Sequence, residues 1–274
     1  MNLINDLIEF PFIQYAFLSI IFLTIACGII SPFIIVKKSA FMGAAISHSA
    51  LLGVAISLSI VGINHLWGIY AITGAVTMIL AMFLAYATFR QKIPSDGLIG
   101  IFFTTTMGLG MIVHHQFADG QGDLLSYLFG NILLLTSFDV FLAAAILILT
   151  TLTIIPFYRY WIYFSFDEEM ASTQGVRTHL LHFVFYFLIT FIIVSSLKIA
   201  GTVLINTLLL VPGVFALKFS RNTKNMVLSS TLFSLITGIL SFVIANQLEW
   251  PIGATLCVFQ FLCLLAVLLF LKLK

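Results

Sequence analysis

His48 is the side chain in this sequence best placed to do chemistry. It stands near the middle of an apolar run, FMGAAISHSALLGVAISL, with no charged neighbour. An ionisable group at membrane depth is costly and marks a functional position by default. Imidazole is also the commonest transition-metal ligand, which favours a place on a cation pathway. The plainer alternative is a neutral imidazole bonded to a serine or a carbonyl. Ala40, Gly43, Ala44 and Ser47 recur at helical i, i+3 and i+4 spacing, so a second helix can approach closely. His48 is then left facing a packed seam or a pore. One histidine is not a metal site, since zinc takes about four ligands.

Further along, His114, His115, Asp119 and Asp123 cluster at the far end of an apolar run. Their types suit a soft-metal vestibule, and a hydrated loop is the plainer reading. His65 offers a weaker version of the same. His179 and His182 are three apart on one helical face, which reads as interfacial packing before metal binding. Cys27, Cys257 and Cys263 all lie inside apolar runs, as packing thiols without a disulfide framework. The patterns H-E-x-x-H, G-x-S-x-G and G-x-x-x-x-G-K-[ST] do not occur, so no catalysis is expected and ATP-driven work needs a separate subunit.

The elements that carry these residues are membrane spans. The chain is 61% hydrophobic and 8% charged, with mean hydropathy +1.18 and net charge +2. That excludes a soluble domain, a disordered chain and a nucleic-acid binder. The start, MNLINDLIEF, carries Asp6 and Glu9 where a cleavable signal would be basic. Spans are expected over 10–36, 39–63, 67–89, 97–113 and 140–158, then over 227–245 and 252–271. The 38-residue run 180–217 would be about 57 Å long as one helix, too long for one crossing, so it folds back near Lys198 and Gly201 as two. The run 124–137, with 14 residues, is too short to cross and is expected as an interfacial or re-entrant piece. Pro32, Pro212 and Pro251, with Gly201 and Gly253, interrupt spans where helices could kink or unwind.

The count is nine, with eight as the alternative. With the amino terminus outside and the carboxyl terminus cytoplasmic, 11 of the 12 basic residues fall inside and Lys198 alone falls outside. Removing one span would flip everything downstream and spoil that distribution. The expectation is an all-α polytopic protein in which residues 1–274 form a single transmembrane domain. Its largest polar segment, 159–179, is cytoplasmic.

Several blocks resemble one family, the membrane permease of ABC importers for zinc, manganese or iron. FMGAAISHSALLGVAI looks like its second-span signature, and SDGLIGIFFTTTMGLG and GDLLSYLFGNILLLT resemble the blocks that follow. FDEEMASTQGV is similar to its ATPase-docking segment, and KIAGTVLINTLLLVPGVFALKFSRN to its Gly/Pro span. The match is collinear from about residue 30 to 260.

The resemblance implies a homodimer, two cytoplasmic ATP-binding cassette subunits, an external metal-binding protein and a bacterial cytoplasmic membrane. It places His48 on the translocation pathway; an outer vestibule at His114 and His115 rests on their own residue types and position. Asp167, Glu168, Gln174 and Gly175 fall in the docking segment within 159–179. SALLGVA and SYLFGNIL look closer to the zinc branch than to the manganese branch, so zinc is the expected cargo and no resident cofactor is expected. Manganese or iron import is the alternative within the family. One departure stands out: the family signature has an aspartate four residues before the histidine, and here that position is Ala44. A secondary cation carrier is the competing class, but it would have no use for FDEEMASTQGV and would place charges in several spans.

Overall fold

A computed structural model describes residues 10–62, 65–90, 95–117, 130 and 135–272. They form ten helices, α1 Pro11–Val36, α2 Ala40–Val61, α3 Leu66–Arg90, α4 Ser95–Phe117, α5 Ser137–Ile154, α6 Tyr158–Phe166, α7 Glu168–Thr173, α8 Thr178–Phe219, α9 Thr223–Leu248 and α10 Ile252–Lys272. No strand occurs among the described residues. Helices are what a membrane allows, because each must satisfy its own backbone without water. Many hydroxyls inside the spans bond the backbone of their own helix. Thr24, Ser49, Thr77 and Thr190 each donate to a carbonyl three or four residues earlier, at 2.7–2.9 Å.

Eight helices are long and apolar enough to cross a membrane. One of them, α8, is 42 residues long and holds Gly201 at φ 67, ψ 168. Only glycine adopts that backbone readily. Contacts show that the chain reverses there. His182 bonds the carbonyl of Ala85 near the end of α3, Lys198 reaches Asp139 at the start of α5, and Gly213 meets Ser31 near the end of α1. Seven single crossings plus this hairpin make nine crossing segments among the described residues, as the sequence predicts.

Lys37, Lys38, Arg159, Arg177, Lys218, Arg221 and Lys224 all lie at one end of the bundle, with α6 and α7. Lys198 lies at the other. Phe10 and the last described turn of α10 are at opposite ends. The run 124–137 falls mostly outside the described residues. Asp119 and Asp123 fall outside them altogether.

The core is built from α1, α2 and α8, the most buried helices, with α4 the least buried. Two of these core helices carry a proline close to where they touch. Pro32 lies inside α1 and Pro212 inside α8. Proline removes a backbone donor and disturbs the turn before it. Beside it, Gly213 N donates to Ser31 Oγ at 2.7 Å, and a Cβ on Gly213 would stand 2.6 Å from the Ser31 carbonyl oxygen. The backbones therefore touch, and the Gly213 amide bonds across the two helices.

Candidate functional site

α2 carries a row of half-buried or exposed positions, Phe41, Ala44 and His48, at helical spacing. His48 turns its ring edge-on to Phe103 of α4, with centroids 4.7 Å apart. Its Nδ1 is buried and has no hydrogen-bond partner among the described residues. The serine bond of the plainer alternative is therefore absent at that nitrogen. Ala44, one turn earlier, offers no donor atom. The neighbouring face, Gly43 and Ser47, packs on the second half of α8. There Ser47 Oγ stands 3.0 Å from the Ala44 carbonyl oxygen and 3.1 Å from Asn206 Oδ1. Asn206 is half-buried. It was not singled out by sequence reasoning, although a lone amide in the apolar block KIAGTVLINTLLLVPG was the available signal.

The other histidines separate from His48. His114 and His115 lie in the last turn of α4, which runs beyond the expected span end to Phe117. His114 Nδ1 is buried without a partner among the described residues, and His115 is exposed. α2 and α4 run side by side in the same direction, Phe103 beside His48 and Gly110 beside Leu52. His114, eleven residues past Phe103, is therefore about 16 Å further along the helix. His65 is exposed, just before α3. His182 is packing, as expected. Its Nε2 sits 3.1 Å from the Ala85 carbonyl oxygen and 3.3 Å from Thr88 Oγ1, inside rings of Phe89, Phe164 and Tyr186. His179 stands edge-on to Phe89. Among the described residues no three His, Cys, Asp or Glu side chains gather closely enough to hold a metal ion.

The segment 159–179 forms α6 and α7 at the basic end. Asp167 caps α7, its carboxylate accepting from Met170 N at 2.9 Å. Gln174 is the residue after the last helical turn, and Gly175 follows at φ 78, with open space around it. The short helix thus has an acidic start and a glycine stop. Glu168 does not point away from the chain. It pairs with Lys37 at 2.8 Å, and the Lys37 ammonium lies 3.6 Å from the centre of the Phe164 ring. Burial pulls the Lys37 pKa below its ordinary value, and Glu168 opposes that fall. Trp161 Nε1 donates to the Thr153 carbonyl at 2.9 Å, which fixes α6 to the end of α5. The outward face carries Tyr160, Tyr163, Phe166 and Met170.

A second charged pair was also missed. Asp139 is fully buried and accepts from Tyr70, from Thr136 N and Oγ1 at 2.8 Å, and from Lys198 Nζ at 3.0 Å. It joins the starts of α3 and α5 to the α8 hairpin. The local signal was T-x-x-D before an apolar run.

The profile of the ABC 3 transport family matches residues 9–271. The chain belongs to that family. A probable metal transport system membrane protein of Thermotoga maritima is 28% identical to it over 270 residues, covering 98% of this chain and 94% of its own length. The manganese transport system membrane protein MntC of Listeria innocua is 31% identical over 258 residues, 93% of this chain and 89% of its own. Among solved structures, PsaBC from Streptococcus pneumoniae in complex with Fab contains a chain that superposes with TM-score 0.82 at 28% identity, over 96% of this chain and 93% of that one. This ABC 3 family chain is a multi-pass membrane permease subunit.

Proposed function

We propose that the chain is the permease of an ATP-driven importer of a divalent transition metal, working as a homodimer in a bacterial cytoplasmic membrane. Two ATP-binding cassette subunits would drive it, and an external binding protein would deliver the metal. Manganese is the better-supported cargo. The Listeria innocua relative is named for manganese, and the zinc leaning read from SALLGVA and SYLFGNIL has no counterpart among the relatives described here. The observation that carries the pathway is His48, a half-buried imidazole with an unpartnered nitrogen at mid-span. The family's aspartate position, Ala44, adds nothing to it. A ligand set of neutral donors would hold a divalent ion loosely, which suits a site that must release its cargo.

The basic end is assigned to the cytoplasm by the positive-inside rule, so the amino terminus is outside and the carboxyl terminus inside. α6 and α7 then face the ATPases. Gln174 and the exposed Tyr163, Phe166 and Met170 are the docking surface, shaped by the Asp167 cap and the Gly175 stop. Glu168 serves differently, tying that surface through Lys37 to the turn between α1 and α2. Closure of the ATPases would be passed along this tie to α2 and its histidine. His114 and His115, at the outer end of α4, would form the entry vestibule.

The test is metal accumulation in bacteria lacking their own manganese and zinc importers, with the chain coexpressed with its ATPase and binding protein. Manganese uptake that needs the ATPase is the expected result. Zinc-selective uptake would keep the class and restore the sequence-based cargo. Uptake that persists without the ATPase would return the assignment to a secondary carrier.

A further inference from the structure

Among the described residues, α3 and α5 meet at the end of the bundle away from α6 and α7. There the Trp67 and Phe138 ring centroids are 4.2 Å apart, and Tyr70 donates to Asp139. Further down the two helices scarcely touch, and α8 forms the floor between them. The result is a cleft of about 380 Å³. Its walls are Ala71, Gly74 and Ala75 of α3 and Leu142 of α5, with Phe191 and Val194 of α8 beneath. Ala71 and Ala75 are exposed, as are Ile79 and Phe141 beside the lining residues, so the cleft opens onto the lipid-facing surface.

Length, section and polarity define what fits. The cleft runs from Trp67 to Met78, eleven residue steps or about 16 Å of helix, close to half of a hydrocarbon core about 30 Å thick. Met78 is the middle residue of α3, and the exposed Trp67 ring marks the interfacial belt. A helix of that length and about 10 Å across would fill on the order of 1,200 Å³, so a neighbouring helix can lie over the cleft but cannot enter it. The walls present carbon, and the Thr190 hydroxyl in the floor is spent on the Tyr186 carbonyl at 2.7 Å. Apolar spaces of this kind stay dry. Within a bilayer, transfer from water contributes nothing, so the gain on filling the cleft is the dispersion contact its lining lacks.

We propose that this cleft is a binding site for one acyl chain of a phospholipid, held as a wedge between α3 and α5. The chain supplies the packing that the two helices lack below the Trp67–Phe138 contact. In the topology proposed above the lipid belongs to the outer leaflet, but the site depends neither on that topology nor on the cargo.

The experiment places the complete transporter in phosphatidylcholine vesicles with a trace of phosphatidylcholine carrying a photoactivatable diazirine at mid-chain. Adducts are mapped by mass spectrometry after irradiation. The stretches Ala71–Met78 and Phe191–Val194 are expected to carry several-fold more label than the lipid-facing stretch Ile236–Leu240 of α9. Depth is matched, since Gly74 and Leu240 each lie eight residues from the outer end of their helix. A Cβ at Gly74 would meet only Val194 Cγ1, at 3.6 Å, so Gly74→Leu can fill the cleft. That variant is expected to bring the label down to the α9 level. Ala71→Leu gives the same test if Gly74→Leu fails to assemble. Even labelling of all three stretches in the wild type would overturn the inference, as would an excess that the filling variant leaves unchanged. With Cys27, Cys257 and Cys263 replaced, a disulfide between two Ala75→Cys copies would also overturn it, by placing a second copy over the cleft. None of these readouts involves transport, so the metal assignment stands or falls separately.

Discussion

A single imidazole inside a span needs a reason, since each alternative use of its nitrogens would have left a trace. His48 makes no serine bond at Nδ1 and packs only its ring edge on Phe103. His182, by contrast, has its Nε2 beside a carbonyl and a threonine and its ring among three aromatic rings, although its Nδ1 too is buried without a partner among the described residues. His48→Ala is therefore expected to abolish metal uptake while membrane insertion and ATPase assembly persist. Normal uptake in that variant would take His48 out of the mechanism. Ala44→Asp places a carboxylate one turn below the imidazole on the same face. It should strengthen metal retention and slow release, read as metal left bound to the purified complex after desalting; unchanged retention would mean that this face of α2 does not hold the ion. At this scale the sequence was informative wherever a polar residue was alone in an apolar run. His48 was legible for that reason. Asn206 was passed over because a neutral amide carries no charge to flag it, and its partner is a hydroxyl 159 residues away.

Elements are tied to one another by charge at both ends of the bundle. At the basic end, Lys37 bridges Glu168 and Phe164, so the α1–α2 turn moves with α6 and α7. Lys37 is largely buried while Glu168 is 37% exposed, and a glutamine at 168 keeps the shape and an oxygen that can accept from Lys37, so Glu168→Gln should leave the fold intact. It should instead reduce metal transported per ATP hydrolysed, with Lys37→Glu combined with Glu168→Lys recovering it. Equal coupling ratios in wild type and Glu168→Gln would reject the tie. At the other end, Asp139 and Lys198 are buried together. Lys198→Met leaves the carboxylate without its cation, at a cost of about 3–5 kcal/mol. A clearly lower melting temperature of the purified complex is expected, and an unshifted one would show that Tyr70 and Thr136 suffice. The helices themselves and the fold-back at Gly201 were readable from run length and glycine placement, whereas the T-x-x-D cap at Asp139 was passed over. Their partners were not, because pairings such as Lys37 with Glu168 span 131 residues and no local pattern encodes them.

For the whole molecule, the decisive quantity is which end of the bundle faces the ATPases. An odd number of crossings among the described residues puts Phe10 and the last described turn of α10 at opposite ends, and the fold delivers it through one glycine that doubles α8 back on itself. Had α8 run straight, Lys218, Arg221 and Lys224 would lie with Lys198, and the basic residues would be split between the two ends. The positive-inside rule then assigns the α6–α7 end to the cytoplasm. In a chain with Cys27, Cys257 and Cys263 replaced by serine or alanine, Thr173→Cys probes the exposed end of α7 and Gln247→Cys the exposed end of α9. A membrane-impermeant thiol reagent applied to intact spheroplasts should label Gln247→Cys and spare Thr173→Cys, while inverted vesicles should give the reverse. The reverse pattern in spheroplasts would invert the topology and take α6 and α7 away from the ATPases. Coexpression with the ATPase adds a second readout. If α7 docks there, Thr173→Cys in inverted vesicles should become protected, whereas Gln247→Cys in spheroplasts should label as before. Labelling of Thr173→Cys that is indifferent to the ATPase would leave the orientation in place and move the docking surface off α7.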